Sequence, residues 1–199
     1  MAQASNPVPA LDLPGMPSKA RTRNGVEFDP ATDNWDFLTN AGRVYFKIDK
    51  LRPFCTPELV HSFKKTLVWY VENMSLVYAS ISFESLRDFL AVVSKNSTSD
   101  LLLSEISEAD IINYKATLDG LREWYLGTLR VFFLKMDRLG YPGIKLAASS
   151  LLEELTLKGA RKGWAVLTMD PEEGPFTNME LRLIQGAVNT AYGEGVLAN

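Results

Sequence analysis

The chain has 199 residues, a net charge of −3, 46% hydrophobic residues, one Cys and one His. That apolar content excludes disorder throughout. The single Cys55 excludes a disulfide scaffold and fits a reducing, cytoplasmic setting, and one His with one Cys argues against a soft-ligand metal site or a Cys/His catalytic pair.

The longest apolar runs, Leu67–Val71 and Phe89–Val93, are five residues each, so no transmembrane helix is expected. Met1 to Pro17 lacks the basic region and apolar core of a secretory signal. Residues 1–34 read as a flexible Pro-rich arm, interrupted by Pro7, Pro9, Pro14, Pro17 and Pro30 and carrying a basic cluster of Lys19, Arg21 and Arg23. Residues 35–55 are rich in aromatics (Trp35, Phe37, Tyr45, Phe46), and Arg43–Asp49 reads as a short strand or an extended segment against the core.

Helical signals begin at Thr56, which can cap, with Pro57 at the first helical position and Glu58 complementing the dipole. Leu59, Phe63, Leu67, Tyr70 and Val71 then share one face, and the helix is expected to end at Asn73. A second helix is expected over about 75–95, followed by a polar loop, Lys95–Asp100. Ser107-Glu108-Ala109-Asp110 resembles a capping box and opens a third helix that Asp119-Gly120 breaks. The fourth, Leu121–Leu139, has the strongest pattern: Trp124, Tyr125, Leu129, Phe132, Phe133 and Met136 form an apolar face, and Gly140 is placed as a C-terminal cap. That aromatic stripe reads as core rather than as a base-stacking platform. Ser150-Leu151-Leu152-Glu153 is a capping box expected to open a shorter helix. Residues 158–175 read as a Gly/Pro-bearing linker, with Trp164–Met169 as an extended piece. Thr177-Asn178-Met179-Glu180 opens a last helix running to about Tyr192.

No GxGxxG, P-loop, HExxH or paired-Cys motif is present, and no catalytic or metal-binding residue is assigned. His61, beside Lys64 and Lys65, reads as a solvent-side helix residue, and Glu153-Glu154 as a solvated pair. The informative feature is basic side chains on the polar faces of apolar helices. Lys64 and Lys65 lie opposite Leu59, Phe63 and Leu67, and Arg122, Arg130, Lys135 and Arg138 accompany the fourth helix. Lys158, Arg161 and Lys162 form the densest patch, in a loop with no acid nearby and with glycines that let a phosphate backbone approach. The overall −3 does not oppose this pattern. The acid excess falls after residue 165, where one Arg faces five acids, while residues 56–165 carry thirteen charges of each sign.

The order of elements resembles the N-terminal half of the tyrosine site-specific recombinases, the phage-integrase family. Ser75–Leu90 (SLVYASISFESLRDFL) is similar to the family's second core-binding helix, ending in L-x-x-F-L at Leu86–Leu90. Gly127–Gly140 (GTLRVFFLKMDRLG) is similar to its fourth, and Asp170–Leu183 (DPEEGPFTNMELRL) to the entry into its catalytic domain. Where the family commonly has Thr and Tyr in the second helix, this chain has Tyr78 and Ser82, so those contacts do not carry over.

The resemblance implies a mainly α fold. It comprises a four-helix core-binding (SAM-like) bundle over 56–157, then the linker, then residues 176–199 as the first helix of a truncated catalytic domain. No H-x-x-R is present, so the resemblance implies a fragment without strand-cleaving activity. It also implies a clamp on duplex DNA through Lys64, Lys65, Ser75, Arg87, Arg130, Lys135, Arg138, Lys158, Arg161 and Lys162. The implied partners are duplex DNA and other recombinase protomers on it, with no cofactor, membrane or small-molecule substrate. The alternative reading is a helical protein-interaction or regulatory module, favoured by the balanced charge of the helical region and the aromatics of 35–46.

Overall fold

A computed structural model describes residues 15–39, 42–96, 101–119, 122–157 and 176–197. Contacts divide the chain into two units, Met1–Lys158 and Gly159–Asn199.

The first unit opens with two antiparallel hairpins. Strands β1 (Ala20–Arg21) and β2 (Glu27–Phe28) are joined by a turn that Gly25 makes possible at φ 86, where a side chain would be strained. Strands β3 (Asn34–Thr39) and β4 (Gly42–Lys47) pair in the register Trp35↔Phe46 and Phe37↔Val44. Period-two alternation turns Trp35, Phe37 and Phe46 inward and leaves Asp36, Leu38, Arg43 and Tyr45 outside. The inward rings form edge contacts with Phe28 (5.1 Å from Trp35, 5.2 Å from Phe37), and Phe46 reaches Phe83 at 5.7 Å. The described part of the expected arm is therefore folded: Ala20 and Thr22 are buried, and the Arg23 amide donates to the Val71 carbonyl at 3.0 Å. Proline spacing hid this, because each strand is only two residues long and its partner lies outside any local pattern.

A 3₁₀ turn (Ile48–Leu51) leads into α1 (Pro57–Asn73), whose Thr56 hydroxyl accepts from the Leu59 amide. Helices α2 (Leu76–Asn96), α3 (Glu108–Thr117), α4 (Glu123–Arg138) and α5 (Leu146–Glu154) follow. Ser107 and Asp110 form the reciprocal capping box at the head of α3. The helices meet around aromatic rings. Phe89 on α2 touches Phe133 (5.3 Å) on α4 and Tyr114 (5.2 Å) on α3, while Phe132 touches Tyr70 (5.3 Å) and Phe63 (6.3 Å) on α1. Each such pair contributes about 0.5–1.5 kcal/mol beyond its buried area. The Tyr114 hydroxyl donates to Asp88 at 2.7 Å, and burial together with that carboxylate raises the phenol's pKa. Residues 103–106 stitch two other loops into the unit: the Leu103 amide donates to the Phe54 carbonyl and the Ile106 amide to the Gly143 carbonyl.

The mainly helical character is as expected, but the hairpins add a β layer where the residue pattern predicts only one short strand or extended segment. The Ser150–Glu153 box does not open α5. That helix begins five residues earlier, with Lys145 at its N-cap and no side-chain cap, because burial of Ala148 and Leu152 sets its start rather than local capping. Trp124, counted with the aromatic core stripe, is 46% exposed, while Phe132 and Phe133 are fully buried.

In the second unit, α6 (Asn178–Leu197) opens with the Thr177–Glu180 box. The Glu180 carboxylate accepts from the Thr177 amide at 2.7 Å, and the Thr177 hydroxyl accepts from the Glu180 amide at 3.3 Å. Residues 176–192 are all exposed.

Candidate nucleic-acid interface

Lys64 and Lys65 were expected on a solvent face, and the structure buries both. The segment before β3 crosses the supposed polar face of α1, so the helix is covered nearly all round. The Lys64 ammonium donates to the Ala31 carbonyl at 2.6 Å and to Asp33 at 2.9 Å, with its side chain only 8% exposed. Partial burial opposes ionisation of Asp33, but hydrogen bonds from Arg52 and Lys64 outweigh it and hold its pKa below the ordinary value. Lys65 lies over the Tyr141 ring at 5.5 Å, and burial pushes its pKa down. His61 is partly exposed, with its pKa lowered by burial and by the charges of Lys65 and Lys64.

Three other expected contacts have structural duties. The Ser75 hydroxyl accepts from the Tyr78 amide at 3.1 Å, capping α2. Arg130 reaches across from α4 to donate to the carbonyls of Leu155 (3.0 Å) and Glu153 (2.7 Å), satisfying acceptors at the end of α5. The Lys135 ammonium sits 3.7 Å from the centroid of Trp69. Sequence spacing carried no sign of the last two pairings, since Arg130–Leu155 and Lys135–Trp69 cross between elements.

Arg87 and Arg138 stay at the surface. Arg87 bonds Glu84 one turn away at 2.8 and 3.0 Å, and Arg138 faces Glu153 at 3.9 Å with both side chains largely exposed. Exposed pairs of this kind are worth about 0–1 kcal/mol, so either guanidinium can exchange its carboxylate for a phosphate at little cost. Lys158, Arg161 and Lys162, the densest predicted patch, lie outside the described residues. Among the described residues no cluster of His, Cys, Asp and Glu could hold a metal ion, and no helix is long and apolar enough to cross a membrane. Burial pushes the Cys55 thiol up to about 12, which makes it a poor nucleophile.

In comparisons with known proteins the chain matches no family model, no curated protein and no solved structure.

Proposed function

We propose that this chain is the DNA-binding module of an integrase-like tyrosine recombinase, clamping duplex DNA through backbone contacts and carrying none of the strand-cleaving residues. The observation that carries the reading is the partnership of α2 and α4. The two recombinase-like helical segments, Ser75–Leu90 and Gly127–Gly140, are neighbours in the fold, joined through Phe89 and Phe133 at 5.3 Å. Each also presents a weakly committed guanidinium, Arg87 or Arg138, at the surface. Structural duties for Lys64, Lys65, Ser75, Arg130 and Lys135 narrow the proposed contacts to Arg87, Arg138 and the linker cations Lys158, Arg161 and Lys162. Phosphate contacts hold a module on DNA without specifying sequence, which suits a clamp whose base readout is limited. In the complete protein, the catalytic residues absent from this sequence would form the phosphotyrosyl link while this module positions the duplex.

The test is binding of a labelled duplex across a salt series. Affinity falls steeply with salt in this reading, and Arg87→Ala with Arg138→Ala lowers the slope of log K against log salt by about 1–2. No binding at low salt would overturn the proposal.

A further inference from the structure

A cleft of about 470 Å³ lies between the turn after the 3₁₀ segment, α2 and the start of α4, and is lined by Lys50, Pro53, Phe54, Glu84, Arg87, Asp88, Ala91 and Tyr125. Its size is that of a small-molecule site. Its acids are already engaged: Glu84 accepts from Arg87, and Asp88 accepts from the Tyr114 hydroxyl at 2.7 Å and faces Arg122 at 3.6 Å. The lining cations are less committed. Lys50 is exposed with no acceptor among the described residues, and Arg87 uses only Nη1 on Glu84, which leaves further donors for an anion. Two rings, Phe54 and Tyr125, complete the walls, and Trp124 braces Tyr125 at a ring separation of 4.1 Å. Cations with uncommitted donors beside aromatic surface match a ligand that joins an anionic group to a flat ring.

We infer that this cleft is a nucleotide site, taking a phosphate on Lys50 and Arg87 and a base against Phe54 and Tyr125. A free mononucleotide and a nucleotide within a DNA strand offer the same chemistry, so the site stands whether or not the module clamps duplex DNA. The residue pattern gave no hint of Lys50, because the cleft joins positions 50, 87 and 125.

The experiment uses the full chain, ¹⁵N-labelled, titrated with AMP, with adenosine and with inorganic phosphate, beside anisotropy of a labelled short duplex. AMP should shift the amides of Phe54, Ala91 and Tyr125 saturably and bind more tightly than adenosine or phosphate. Lys50→Ala should weaken AMP about tenfold, the loss of one charge-assisted hydrogen bond, while Lys47→Ala, an exposed cation outside the cleft, leaves it unchanged. The same contrast read with a labelled single-stranded oligonucleotide, whose unpaired bases are free to stack, assigns the site to a nucleotide within a strand. If Lys50→Ala alters neither ligand, or alters each no more than Lys47→Ala, the inference is overturned even where duplex binding persists. AMP filling the cleft of a chain that binds no duplex would leave this site standing and sink only the DNA-clamp reading.

Discussion

Lys64 belongs to a charged helix run, yet its ammonium is buried between the Ala31 carbonyl and Asp33. Replacing it with Ala strands the carbonyl and removes one of two cations from the carboxylate. We expect Lys64→Ala to cost about 2–3 kcal/mol in urea unfolding, without changing the salt slope of DNA binding. A fall in that slope without loss of stability would restore Lys64 to the interface. The partner gives a pH signature. The folded-state pKa of Asp33 is depressed, so its contribution to stability is full above the ordinary value of 3.8 and is lost as pH falls through the lower folded value. The stability gap between the native chain and Asp33→Asn should therefore be constant near neutrality and close in the acid range below about pH 4. A gap that does not change with acid would mean that the ion pair adds nothing.

Among the elements, the helix bounds were largely legible, because capping residues and periodicity are local signals. Thr56-Pro57 and Ser107–Asp110 mark the true starts of α1 and α3, and Thr177–Glu180 that of α6. The hairpins were not legible as a layer, since Trp35 and Phe46 declare themselves core only once they are paired across the ribbon. Four of the ten candidate contacts have partners that no local pattern shows. Helical spacing predicts which residues share a face, but not what later crosses that face, and Lys64, Lys65, Arg130 and Lys135 were all claimed by segments distant in sequence.

Two substitutions probe element junctions. Gly143 holds φ 121, and a Cβ there would fall 2.3 Å from Leu59 Cδ1, so Gly143→Ala should cost about 2 kcal/mol in thermal or urea unfolding. Arg130→Ala frees two carbonyls at the end of α5. It should speed amide hydrogen exchange in α5 and lower stability by about 1–2 kcal/mol, whereas exchange unchanged from the native chain would show that Arg130 does not secure that helix end.

For the whole molecule, composition gives an acidic protein while the proposal calls for a DNA clamp, and the two are reconciled by where charge lies. Acids dominate after residue 165, and Lys158, Arg161 and Lys162 sit together just before. The most direct measurement of the central claim is the affinity of the full chain for duplex DNA as a function of salt, with and without Lys158→Ala, Arg161→Ala and Lys162→Ala together. A steep salt dependence is expected, which the triple variant flattens by about 2–3 in log–log slope. Duplex affinity that is absent at low salt, or a slope the triple variant leaves untouched, would contradict it.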